Sequence, residues 1–146
     1  MRPATLFKAS IQIKEGRDPV ISLQELLDTF YSTRSPREKL AVIEREPLLL
    51  NMGILDAYIG GAAEYLARQY SLPSIPDWVF LSQRYLAEPS FTSVSQDAAM
   101  KEYLSFTSPA EFRSRNIFTE DRPLRRARTP LSPTSDQTQN PAPSMP

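Results

Sequence analysis

Neither cysteine nor histidine occurs anywhere in the 146 residues, and glycine occurs only four times. Without thiols or imidazoles the chain cannot form a disulfide, a Cys/His zinc site, a cysteine nucleophile or a histidine-based acid/base pair. Carboxylates, lysine, tyrosine and the hydroxyls of serine and threonine are the reactive groups left. The four glycines nowhere form the Gly-x-x-x-x-Gly-Lys or Gly-x-Gly-x-x-Gly spacing of a phosphate cradle. An excess of one charge is missing too: seventeen basic residues balance seventeen acidic ones, so no overall field draws the chain to nucleic acid or to an anionic membrane. Long apolar runs are also lacking. Asp56 and Glu64 interrupt the run that begins at Leu48, short of the roughly 20 residues a spanning helix needs. Arg2, Lys8 and Lys14 break the N-terminal stretch where a secretory signal would be apolar. The expectation is a soluble, cytoplasmic protein with no catalytic residues, cofactor, metal or membrane contact.

What is there reads as helix. The length suits one domain with a hydrophobic core. Residues 7 to 13 alternate, with Phe7, Ala9, Ile11 and Ile13 on one side, which is the period of a strand; the four-residue spacing of Phe7 and Ile11 allows a helix or an arm as well. Ser22 with Glu25 forms a candidate capping box ahead of the stripe Leu23, Leu26, Leu27 and Phe30, predicting a helix from 23 to about 32. Ser35, Pro36 and Glu38 open a second helix, to about residue 45. After Pro47 the longest periodic stretch begins: Leu48, Met52, Leu55, Ile59, Leu66 and Tyr70 recur at helical spacing and predict a central helix over 48–70. Gly60 and Gly61 would each cost that helix about 1 kcal/mol relative to alanine, so close approach of a neighbouring helix is expected there. Pro73 and Pro76 end it and open a short helix around Trp78, residues 88–96 read as a loop, and Asp97 starts a helix to Phe106. Ser108, Pro109 and Glu111 repeat the pattern of a capped helix start. From Thr129 the chain carries five prolines, one charge and little aliphatic surface, a composition that cannot repay its ordering entropy. The fold expected is all-α, a compact bundle of five to six helices over residues 1–126, with a disordered tail over 127–146.

Candidate sites compete with plainer readings. Asp56 and Glu64 are eight residues apart, about 12 Å along a helix, too far to share a proton, and Glu64 with Arg68 makes an outward i,i+4 pair. Trp78, Phe80, Tyr85 and Phe91 read better as a core corner than as a platform for bases. The stretch from Ser108 to Arg128 holds six arginines against three acids around Phe112, Ile117 and Phe118. That excess is modest beside an arm built for phosphates. Arginine beside apolar side chains suits a contact surface for another protein, and the residues assigned to it are Phe112, Arg113, Arg115, Ile117, Phe118, Arg122, Arg125 and Arg126.

The succession EYLARQYSLPSIPDW (64–78), RYLAEPSF (84–91) and SPAEFRSRNIFTE (108–120) resembles the motif order of small helical bacterial proteins. These end in a Pro-x-x-Phe-Arg-x-Arg-Gly-Ile-Phe signature. The resemblance spans residues 64 to about 126. It implies an antitoxin-like partner of a nucleotidyltransferase-type toxin. Ser71 and Asn116 stand where that family tends to have glycine, and Pro73 to Trp78 is spaced differently. Asn116 keeps the left-handed conformation accessible and so marks a helix end. The function expected is a non-enzymatic protein-binding module whose partner is another protein, such as a toxin enzyme. The alternative is a nucleic-acid-binding regulatory protein, against which stands the apolar, non-basic start of the third helix.

Overall fold

A computed structural model describes residues 2–92, 97–120 and 123–125. Among these described residues there are six helices: α1 (Leu6–Lys14), α2 (Pro19–Ser32), α3 (Pro36–Ile43), α4 (Gly53–Gln69), α5 (Ala98–Thr107) and α6 (Ala110–Arg113). Two 3-10 turns, Asp77–Phe80 and Ser82–Arg84, and two short strands, β1 (Ser90–Phe91) and β2 (Ile117–Phe118), complete the described elements. The chain is all-α, as its sequence patterning implies. The tail expected to be disordered, 127–146, lies outside the described residues.

The N-terminal segment resolves its ambiguity as a helix. Thr5 caps α1 by accepting the Lys8 N–H through Oγ1 (3.2 Å), and the buried set is Leu6, Ala9, Ser10 and Ile13. That set has helical spacing, whereas Phe7 and Ile11, half of the alternating pattern, lie at its partly exposed flanks. Ser10 joins α1 to the chain before α4: its hydroxyl donates to the Phe7 carbonyl (2.6 Å) and accepts the Leu48 N–H (2.9 Å).

Helix α2 begins earlier than the Ser22 box implies. Asp18 is the cap, accepting the Val20 N–H at 2.8 Å, with Pro19 at the first position. Ser22 is buried inside the helix and Glu25 turns to Arg17, 2.8 Å away. Proline at N1 preceded by aspartate is an equally good start signal, and it leaves the stripe of Leu26 and Phe30 unchanged. α3 keeps its box: Ser35 Oγ accepts the Glu38 N–H (3.1 Å) and Glu38 accepts the Arg34 N–H (2.8 Å). Lys39 then reaches back over the end of α2, donating to the Phe30 and Thr33 carbonyls.

α4 starts at Gly53 rather than Leu48. Asn51 holds a left-handed φ of 58°, and Asp56 Oδ1 draws in the Leu50 N–H (2.8 Å), so residues 48–52 approach the helix as a bent lead-in. α1, α2 and α3 pack on one another. α4 packs against both 3-10 turns and α6. Trp78 is buried and donates its Nε1–H to the Ile43 carbonyl (3.2 Å), but the core corner expected of four aromatics is only partly formed: Phe80 is half exposed, and Tyr85 and Phe91 are partly buried. Residues 90–91, read from sequence as loop, pair in parallel with β2, and the rings of Phe91 and Phe118 stack at 4.9 Å. Ser108 does not cap the start of α6, whose N-cap is Pro109 with no side-chain hydrogen bond; it is instead the C-cap of α5. Its oxygen accepts the Thr119 N–H at 2.7 Å and its hydroxyl donates to the Leu104 carbonyl, fastening β2 beneath α5.

Candidate functional site

The arginine-rich stretch divides on folding. Phe112, Arg115 and Ile117 are fully buried, Phe118 is half-buried, and Arg113 and Arg125 are exposed. Arg122 and Arg126 lie outside the described residues. As a surface the eight positions are therefore not continuous: Phe112, Arg115 and Ile117 are core residues and offer nothing to a partner. Asn116 takes the left-handed φ of 65° expected of a helix end and donates its side-chain amide to the Leu86 carbonyl (2.9 Å).

Arg115 occupies one of two buried guanidinium sites along α4. Its Nη1 meets Glu64 Oε1 at 2.6 Å and the Glu111 carbonyl at 2.7 Å, and its Nη2 donates to the Val79 carbonyl at 2.6 Å. Arg84, equally buried, places Nη2 on the Pro47 carbonyl (2.9 Å) and Nη1 3.7 Å from Asp56 Oδ1. Burial pulls the Arg84 guanidinium below its usual range, with the Asp56 and Glu46 charges opposing. Each guanidinium also lies over a ring, Arg84 over Trp78 and Arg115 over Tyr85. The helix supplies the space: a Cβ on Gly60 would stand 2.8 Å from Arg84 Cβ, and one on Gly61 would stand 3.0 Å from Phe112 Cδ1. Asp56 and Glu64 are thus buried counter-ions and not an outward helix face. The Glu64–Arg68 pair exists at 2.9 Å, with Glu64 shared between the two arginines.

The sequence carries a signal for this cluster. Asp56, Gly60, Ala63, Glu64 and Ala67 share one side of α4, all buried, and a face made only of small residues and acids has room for long cationic side chains. The cluster is sealed: none of its four charged residues lines the pocket described next. Among the described residues no group of three or more acidic side chains could hold a metal ion.

An open concavity among the described residues lies elsewhere. α2 and α4 meet at their C-terminal ends, where Phe30 and Tyr31 contact the ring of Tyr70 at 5.6 and 5.8 Å. Along the rest of their length they leave a groove of about 360 Å³. One wall is Val20, Leu23, Gln24 and Leu27 of α2; the other is Leu55, Tyr58, Ile59 and Ala62 of α4, with Leu6 and Ile43 at the floor. Both walls have the three- and four-residue spacing of a helix face. Gln24, Tyr58 and Arg125 are its polar members. At the N-terminal ends of these helices Val20 is 62 % exposed, Ile21 46 % and Ile54 59 %. Tyr58 packs on Phe112 (5.1 Å), and its phenol is pushed up to about 12 by burial and, secondarily, by the Glu120 charge. No helix among the described residues is long and apolar enough to cross a membrane. No protein-family model, curated protein or solved structure matches the chain.

Proposed function

We propose that the chain is a non-enzymatic protein-binding module that receives an apolar segment of its partner in the groove between α2 and α4. One observation carries this reading: the groove is lined almost wholly by aliphatic and aromatic side chains and includes exposed Val20, whereas the charged cluster is sealed in the core. A concave apolar floor with a few polar groups at its margin is where buried anchors of a partner gain most. The groove replaces the arginine-rich stretch as the leading contact surface, because the apolar anchors of that stretch are turned inward. An antitoxin-like role toward a co-encoded enzyme is the form that the reading takes under the resemblance of residues 64 to 126.

The test is affinity capture from the native host with the full-length chain, its V20E variant and its R113A variant, followed by mass spectrometry. Val20 and Arg113 are both exposed, so neither change disturbs the core. A protein retained by wild type and R113A and lost with V20E is the expected result. Loss with R113A and retention by V20E would return the site to the arginines. A small apolar molecule held by the wild type and expelled by V20E, with no protein captured, would make the groove a ligand pocket and overturn the reading.

A further inference from the structure

Both helical walls of the groove carry apolar side chains at three- and four-residue steps, Val20, Leu23 and Leu27 on α2 and Leu55, Ile59 and Ala62 on α4. Each row is about 10 Å long. Beyond the first turn of each helix the backbone N–H groups, and the carbonyls along both rows, are bonded inside the helix. Neither wall therefore offers a line of donors or acceptors to a chain laid along it.

That decides what backbone the groove accepts. An extended segment brings one N–H and one C=O for every non-proline residue, and those pressed on aliphatic walls are desolvated without a partner. An α-helix satisfies the same groups within itself. It also turns out side chains at the steps of the two rows, so that its ridges interdigitate with those of α2 and α4.

One polar group marks the α4 wall. Tyr58 lines the groove with its ring held on Phe112 at 5.1 Å, and among the described residues its hydroxyl has no hydrogen-bond partner. Burial and the Glu120 charge push the phenol up to about 12, so it stays a neutral donor. Arg125, the charged residue of the lining, is held by Glu120 at 2.8 Å. The described lining thus presents a donor and no unpaired charge. Its complement is an uncharged face with one neutral acceptor, since a carboxylate beside the phenol would meet the same Glu120 charge.

Resting on the groove as the binding site, we infer that the partner segment is an amphipathic helix that lays about two turns of an uncharged face between α2 and α4. Large aliphatic side chains at i, i+3 and i+7 fill the groove, and a glutamine or asparagine at i+4 accepts a hydrogen bond from the Tyr58 hydroxyl. A wholly aliphatic face would bury that hydroxyl unpaired, which makes Tyr58 the residue that discriminates between otherwise similar helices.

The test pans the full-length chain against two peptide libraries, one randomised over a face of a stable helical scaffold and one of linear segments, and measures the binders by fluorescence anisotropy. Expected are binders from the helical library that carry Gln or Asn at one fixed position, are lost with V20E and weaken about fivefold with Tyr58→Phe. Replacing that Gln or Asn by Leu should abolish the difference between wild type and Tyr58→Phe, which is the coupling that a double-mutant cycle reads. Tyr58→Phe keeps the ring that packs on Phe112 and Val20 is exposed, so both variants report on a folded chain. Linear binders alone, helical binders indifferent to V20E or to Tyr58→Phe, or no binder at all would each overturn the inference. So would a dimer of the chain, seen by sedimentation, that V20E dissociates, because the occupant is then a second copy. The two readings fail separately. Val20-dependent host capture with linear binders alone removes the helix and leaves protein binding, whereas Val20-dependent helical binders with no protein captured from the host remove the protein-binding function alone.

Discussion

Arg115 shows how far a side chain's role can depart from its composition. In the sequence it is one of six clustered arginines; in the fold it is the cation of a buried pair. Transfer of a guanidinium from water is offset only by close counter-charges and acceptors, and Arg115 has a carboxylate and two carbonyls within 2.7 Å. Arg115→Ala leaves Glu64 buried with a half-exposed Arg68 and is expected to lower unfolding stability by on the order of 3 kcal/mol, measured by urea denaturation. Glu64→Gln should cost less, because the carbonyl acceptors of Arg115 remain. Tyr58 gives a second expectation. Its folded pKa of about 12 lies above the ordinary value of 10, so the folded state holds the proton more tightly. The stabilisation is whole below pH 10 and is lost as pH rises through 12, by roughly 2–3 kcal/mol in all. Denaturation curves between pH 9 and 12 should show that loss in the wild type and a smaller one in Tyr58→Phe, where Tyr70, also raised by burial, still contributes.

For whole elements, α4 explains why a helix tolerates two adjacent glycines. Replacing Gly60 by alanine gains about 1 kcal/mol of helix propensity, yet the new Cβ would sit 2.8 Å from Arg84 Cβ. That atom is one bond from the backbone and cannot swing aside, and such overpacking typically costs 1–3 kcal/mol. Gly60→Ala should therefore lower the melting temperature by several degrees, while Gly53→Ala, whose Cβ would meet only Leu86 Cδ2 at 3.8 Å, leaves it unchanged or raises it. Elements with strong local signals were the legible ones. Ser35–Pro36–Glu38 starts α3 as its capping pattern says, and Asp97 caps α5 by accepting the Met100 N–H (2.7 Å). Misplaced boundaries have local causes: two good start signals compete before α2, and Asn51 delays α4 although the apolar period runs through it. β1 was not legible, since two residues carry no period and their pairing partner is twenty-seven positions further along the chain.

Across the whole molecule, the groove and the charged cluster sit on different sides of the same helix, one open and one sealed. Asp56, Glu64, Arg84 and Arg115 are buried, whereas the groove between α2 and α4 is open at exposed Val20. The capture experiment above tests whether that groove receives a partner. From the sequence alone came the helical class, the starts of α3 and α5, the left-handed turn at Asn116 that follows α6 and the restriction of any chemistry to carboxylates, lysine, tyrosine and hydroxyls. These follow from local propensity, capping and periodicity, which act within a few residues. The tertiary structure alone decided that Arg84 and Arg115 are core residues, that Asp56 and Glu64 are their counter-ions, and that an apolar groove opens between α2 and α4. Each of those depends on contacts between segments distant in sequence, whose desolvation and packing outweigh what any single stretch prefers by itself.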